Sequence, residues 1–270
     1  EWCQGYSEPG SGSDLASLRT AAKLDGDSWV INGQKIWTSG AQHADWMFIL
    51  VRTDPDASKH EGISFLLLPM DQDGVTIKPI RMISGESPFN ETFFDDALAD
   101  KRDLVGELNR GWTVGKRLLQ HERSGMESLA AGGTGGGLSS VVTTAKQGYG
   151  EQDGKIAEPA IRENVLRYEM DSRSLGLTQR RVVEESLDGK TPGFTTSIFK
   201  VVSTELQQDY YELQTGLRGT DGYGWEGDQF EEDALGLTRN WLYYRAASIY
   251  SGSNEVQRNI IAKRVLGLPD

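Results

Sequence analysis

The hydrophobic pattern of this chain changes period once, near Val105-Gly106, and that change restricts the fold more than any other feature. Upstream of it, short apolar runs recur with the character of strands; downstream, apolar residues recur at helical spacing. A chain that places its strands first and its helices after them is an α+β protein. The pattern predicts an N-terminal β-barrel or sandwich over residues 1–105 and a C-terminal four-helix bundle over 106–270. In the first part, residues 29–37 read as two short strands about an Asn32-Gly33 turn signal. Residues 46–51 and 63–68 read as buried strands, the second closed by Pro69, which has no N–H for a ladder. Residues 75–77 and 91–94 add two more. In the second part, apolar positions from Trp112 to Leu129 outline a long helix. The Gly-rich stretch 131–137 reads as a helix whose small residues permit close approach, with a flexible linker as its rival. Residues 158–185, 194–215 and 241–266 complete about four helices, with a loop over 222–227 and no internal repeat.

The net charge of −12 excludes a general nucleic-acid binder, which needs basic surface against phosphate. It leaves room for an anionic ligand held locally by backbone N–H groups and one or two cations. The single cysteine, Cys3, cannot form an internal disulfide and reads as a small buried residue. With no membrane-spanning run and no signal-peptide pattern, the chain is expected in the cytoplasm, or in the mitochondrial matrix of a eukaryote. His43, His60 and His121 are scattered without metal-ligand spacing, so no metal site is expected. The first residue is Glu1 rather than Met, inside an informative segment, and further N-terminal sequence is expected before it.

Four segments carry chemistry. Ser7-Glu8-Pro9-Gly10-Ser11-Gly12-Ser13-Asp14 is a Gly/Ser loop able to fold amides around an anion; it lacks both the Walker and the Gly-x-Gly-x-x-Gly spacing. Residues 32–39 carry Trp37 and Ser39, an indole face and a hydroxyl suited to a flat ring with polar edges. Gln120-His121-Glu122-Arg123 lies on the predicted long helix, where only one or two neighbours can face a given pocket. Last, the aromatic-rich helical pattern before Tyr250 runs into Ser251-Gly252-Ser253, and a second helix follows, its first N–H groups facing whatever sits at the break. Ser251 and Ser253 have no His-Asp partner set and read as caps rather than nucleophiles.

These segments resemble the signatures of acyl-CoA dehydrogenases over essentially the whole chain, as the family's middle β domain and C-terminal helical domain. The Ser7–Asp14 loop is similar to the family's Thr/Ser-Glu-Pro-x-x-Gly-Ser-Asp element, and residues 89–95 to its Asn-Glu-Val-Phe-Phe-Asp segment, which carries a structural role. The resemblance implies FAD as cofactor and an acyl-CoA thioester as substrate, converted to a trans-2-enoyl-CoA. It implies that Tyr6 and Ser7 approach the isoalloxazine ring and that Ser13 meets the CoA arm. It implies Trp37 against the flavin, with Ser39 near its reactive edge. Lys146 and Tyr149, in a segment like the family's Arg-x-x-Phe-Gly, would reach the adenine diphosphate half of FAD on a neighbouring subunit, and Ser253 and Glu255 would touch FAD after the helix break. The departure is Ser251, where many members carry the catalytic glutamate. In the isovaleryl- and long-chain-type branch that glutamate sits on the earlier helix before an arginine. Counted from Gly111-Trp112, this puts the base at Glu122 and a substrate contact at Arg123, while the backbone N–H of Ser251 faces the thioester carbonyl. A homo- or hetero-oligomer, dimer or tetramer, follows from shared FAD contacts, with an electron-transfer flavoprotein or another acceptor as partner. Two alternatives stand beside the dehydrogenase: a non-catalytic flavin-binding subunit of a hetero-oligomer, and a flavin monooxygenase or desulfinase on the same fold.

Overall fold

A computed structural model describes residues 1–119, 140–187 and 194–269, arranged as two compact units, Glu1–Glu122 and Arg123–Asp270. The α+β order holds, strands first and helices after.

The first unit is one seven-stranded sheet made of β1 (Trp2–Gly5), β2 (Ala21–Asp25), β3 (Ser28–Ser39), β4 (Trp46–Arg52), β5 (Ile63–Pro69), β6 (Val75–Ile80) and β7 (Phe89–Asp100). β4 is its pivot. It pairs antiparallel with β5 on one side, and parallel with β1 and then with the start of β2 on the other. The sheet continues through β3, β7 and β6, all antiparallel. β5 and β7 touch without pairing, so the sheet curls upon itself. Met47, Ile49 and Val51 alternate into the inner core with Ile31, Leu66, Leu68 and Phe94. Phe48 and Leu50 point the other way, into a second cluster with Tyr6, Leu18, Ile63 and Phe65. Both faces of β4 and β5 are therefore covered, which is why their sequences read as unbroken apolar runs rather than alternating ones.

The outer face of these two strands is covered by the helical residues 111–119, through Trp112, Val114 and Leu119. Residues 104–110 run along β5 first, with Val105 N–H donating to the Phe65 carbonyl at 2.9 Å. A Cβ on Gly111 would lie 2.3 Å from the backbone of Ser64 and Phe65, so only glycine lets this helix start so close to the strand. Leu50 is fully buried beneath the helix. Leu50→Ala removes a branched side chain from a covered site and is expected to destabilise the first unit by about 2–5 kcal/mol, read from urea unfolding.

Two sequence expectations change. The Asn32-Gly33 pair is not a hairpin turn: β3 runs straight through it, and the turn lies earlier, with Asp25 opposite Ser28 across Gly26-Asp27. Gly33 instead marks a register shift against β7 (φ 145°), where a Cβ would lie 2.7 Å from Thr20 Cα. β1 and β2 were not expected; each is short, and β1 is held largely by its parallel partner.

In the second unit, residues 140–149 are helical, and Asp153 and Gly154, both at positive φ, close a small hairpin of β8 (Glu151–Gln152) and β9 (Lys155–Ile156). Helices Pro159–Leu187 and Thr196–Leu217 pack along Tyr168, Leu175 and Val182 of the first against Phe199 and Leu206 of the second. The recurrence of that first set at every seventh residue keeps it on one helix face. The expected break at Ser251-Gly252-Ser253 is present, and the segments on either side are further divided, into helix Glu232–Tyr243 and a 3₁₀ turn Tyr244–Ser248 before it and helix Asn254–Ile260 and a π turn Ile261–Val265 after it. Helix Glu232–Tyr243 starts nine residues before Trp241, where Glu232 and Asp233 suit the positive end of a helix.

Candidate functional site

In the first unit the Ser7–Asp14 loop is stitched to β3 immediately before Trp37. Ile36 N–H donates to the Ser7 carbonyl at 2.9 Å. Glu8 folds inward, where its carboxylate accepts from Arg19 N–H (2.7 Å), Thr20 N–H (2.9 Å) and Lys35 Nζ (2.8 Å). Lys35 Nζ also donates to the Tyr6 carbonyl at 3.0 Å, and no part of the lysine is exposed. Burial pushes Lys35 down to about 8, opposed by the charge of Glu8. Burial likewise pushes Glu8 up, but the Lys35 charge and the three donors outweigh it and hold the carboxyl below its usual value of 4.5. The amides of Glu8 and Ser11 bond each other's carbonyls (3.1 and 2.9 Å), so these two close the loop rather than face outward. A cleft of ≈ 400 Å³ opens beside this brace, lined by Pro9, Gly10, Ser11 and Thr20 among others.

Because the folded Glu8 holds its proton less tightly than the unfolded chain, its stabilisation is complete above 4.5 and disappears as pH falls through the folded value. Urea midpoints followed from about pH 7 to about pH 3 are expected to drop along this limb, and Glu8→Gln is expected to flatten it.

The expected cofactor residues divide sharply by exposure. Tyr6 is 4% exposed and its ring meets Phe48 and Phe65 edge-on, within the core. Trp37 is 55% exposed, sits at φ 62° in a register shift between Lys35 and Thr38, and packs edge-on against Phe89 at 6.2 Å. A tryptophan in the left-handed region is strained, and the bulge is what turns its indole outward. Ser39 is exposed and Thr38 between them is buried. Ser13 is exposed on its loop.

In the second unit, Ser251 (φ 54°) and Gly252 (φ 86°) make a left-handed turn ahead of helix Asn254–Ile260. Ser253 caps that helix, its Oγ accepting from Val256 N–H at 3.4 Å. Glu255 is exposed in the first turn, its carboxyl lowered by backbone and Ser253 hydrogen bonds. Beneath the turn lies a polar cluster that sequence reasoning missed. Lys200, buried on helix Thr196–Leu217, donates to the Ala247 carbonyl (2.8 Å) and to Asn254 Oδ1 (3.1 Å). Thr204 Oγ1 lies 3.2 Å from the same Oδ1 and 2.8 Å from the Lys200 carbonyl, and Asn254 Nδ2 donates to Glu205 at 3.3 Å. The signal was present: Lys200 interrupts the apolar run Ile198-Phe199-Lys200-Val201-Val202, as Lys35 occupies an inward position of β3. Lys146 is paired with Glu151 at 3.0 Å, and Tyr149 is partly exposed. Glu122 and Arg123 lie outside the described residues. Among the described residues no group of three His, Cys, Asp or Glu is placed to hold a metal, and no helix is long and apolar enough to cross a membrane.

Family models for the acyl-CoA dehydrogenase middle domain and C-terminal domain match residues 3–97 and 109–266. The chain belongs to the acyl-CoA dehydrogenase family. It is 43% identical to the acyl-CoA dehydrogenase IpdE1 of Mycobacterium tuberculosis, over 99% of this chain and 67% of that protein. Among solved structures, the ChsE4-ChsE5 complex from Mycobacterium tuberculosis is 34% identical with a TM-score of 0.85, covering 100% of this chain and 69% of that one. The Tcur3481-Tcur3483 steroid ACAD is 32% identical with a TM-score of 0.88, covering 99% and 68%. The chain thus spans about two thirds of the length of each of these three proteins. FAD, which an acyl-CoA dehydrogenase implies, needs a flat apolar face with polar groups at its edge. The outward indole of Trp37 beside the exposed Ser39 fits that need.

Proposed function

We propose that the protein dehydrogenates an acyl-CoA thioester between its α and β carbons, giving a trans-2-enoyl-CoA with FAD as cofactor. The observation that carries this reading is Trp37, an indole held outward by a left-handed bulge on a rigid strand. Strain of this kind persists only where the surroundings impose it, and it collects at ligand sites. Trp37 and Ser39 would hold the flavin ring, with Ser7 beside it. Ser253 and Glu255 would contact FAD after the helix break, and Lys146 and Tyr149 would serve a neighbouring subunit's cofactor. Bound FAD supplies the hydride acceptor.

The rest of the chemistry falls to this chain's own groups. A thioester α-proton yields to a carboxylate only if the carbonyl oxygen is stabilised as negative charge develops there, and one such donor is worth roughly 3 kcal/mol. The backbone N–H of Ser251 would be that donor; its side chain does not matter for the role, so serine serves as well as glutamate. Glu122 would accept the α-proton, Arg123 would contact substrate beside it, and Ser13 would meet the CoA arm. A steroid-type thioester belongs among the candidate substrates, because a solved relative carries that description.

Ser251 favours one second reading, a flavin-binding subunit that relies on a partner subunit for the base; the ChsE4-ChsE5 relative is itself a complex of two named components. The deciding experiment is anaerobic titration of the FAD-loaded full-length protein with a panel of straight-chain, branched and steroid-type acyl-CoAs. Bleaching of the flavin band by one of them is expected. A flavin band that no thioester bleaches favours the subunit reading, and failure to take up FAD sinks both.

A further inference from the structure

We infer that Lys200 and Asn254 are positioning residues for the Ser251 turn, fixing the direction of its backbone N–H groups from beneath. Lys200 reaches two points on opposite sides of the turn, the Ala247 carbonyl before it and the Asn254 side chain after it. The segment 248–253 is therefore spanned by one ammonium group on a neighbouring helix. Asn254 is 2% exposed, and its Oδ1 receives the Lys200 ammonium, which can only donate, so its Nδ2 has to face Glu205. That leaves the amide one orientation. Arg258, one helical turn on, pairs with the same Glu205 and ties the second helix to Thr196–Leu217 from a further point.

The turn needs such a restraint. Ser251 and Gly252 are consecutive left-handed residues, and for serine that conformation is unfavourable without support. A buried lysine is itself costly, because its charge is taken out of water. The carbonyl and amide contacts of Lys200 offset that cost where they hold the turn. If the N–H of Ser251 faces a thioester oxygen, small errors in its direction matter. A donor lost from such a site costs roughly 10²–10³ in rate, and misplacement by about 1 Å costs about 10².

The inference rests on the proposed role of the Ser251 N–H, and the test separates the two. Crotonyl-CoA labelled with ¹³C at its carbonyl is bound to the FAD-loaded full-length protein, and its carbonyl stretch is read by infrared difference spectroscopy. A donor at the oxygen lowers that frequency relative to free crotonyl-CoA. In Lys200→Met and Asn254→Ala the band is expected to return towards the free value while FAD and the far-UV spectrum are retained. With an acyl-CoA substrate, flavin reduction is expected to slow about 100-fold in kcat with KM changed only a few-fold. If Lys200→Met does not fold, Asn254→Ala decides by the same band. A lowered band that persists in the variants overturns the positioning role alone. A wild-type complex saturated with crotonyl-CoA and showing no shift removes the Ser251 donor, and this inference with it.

Discussion

Glu122→Gln is expected to slow flavin reduction by acyl-CoA roughly 10²–10⁴-fold while leaving the oxidised flavin spectrum unchanged. The amide keeps the size and polarity of the side chain and removes only its capacity to accept a proton. No other group near the substrate is proposed to take that proton: the hydroxyl of Ser251 is not a base at neutral pH. Because Glu122 is not among the proposed flavin contacts, loss of rate with retained FAD isolates the proton step. Single-turnover bleaching under anaerobic conditions, with the substrate that reduces the wild-type protein, measures it. Reduction at the wild-type rate in Glu122→Gln would place the base elsewhere and sink this assignment.

A comparable effect on stability is expected at the Glu8–Lys35 pair. Glu8→Ala leaves a fully buried ammonium with a single carbonyl partner and is expected to destabilise the first unit by about 3–5 kcal/mol. The double variant Glu8→Gln with Lys35→Met removes both charges together while leaving an amide oxygen for the Arg19 and Thr20 N–H groups, and is expected to recover part of that loss, since a buried pair contributes little more than an uncharged pair of the same volume. Urea unfolding of Glu8→Gln, Lys35→Met and the double variant gives the coupling directly. A Glu8→Ala protein within about 1 kcal/mol of wild type would show that the loop Ser7–Asp14 does not depend on this pair. Such a loss also bears on the site, because the same brace holds Ser7 against Ile36, one residue before Trp37.

Much of the architecture was legible without coordinates. The strands of β4 and β5, the closing Pro69, and the helices Pro159–Leu187 and Thr196–Leu217 are written in local periodicity, and local periodicity is set by which face of an element must be buried. Trp37 was legible as a candidate through its neighbours, although nothing local announced its left-handed backbone. The errors have a common origin. Asn32-Gly33 carries a strong turn signal, but the glycine serves the close approach of Thr20, a contact 13 residues away along the chain. β1 and β2 were missed for a similar reason, since each is short and β1 is held by its parallel partner far along the chain.

The sequence by itself determined the fold class, the order of the two parts, the family and the departure at Ser251, because periodicity and short motifs depend on residues close together in the chain. Only the tertiary structure decided which charged residues are buried and what they hold. Lys35 reaches Glu8 across 27 positions, and Lys200 reaches Asn254 across 54. An ammonium group can be desolvated only where acceptors from distant segments converge on it, and that convergence exists only once the chain is folded.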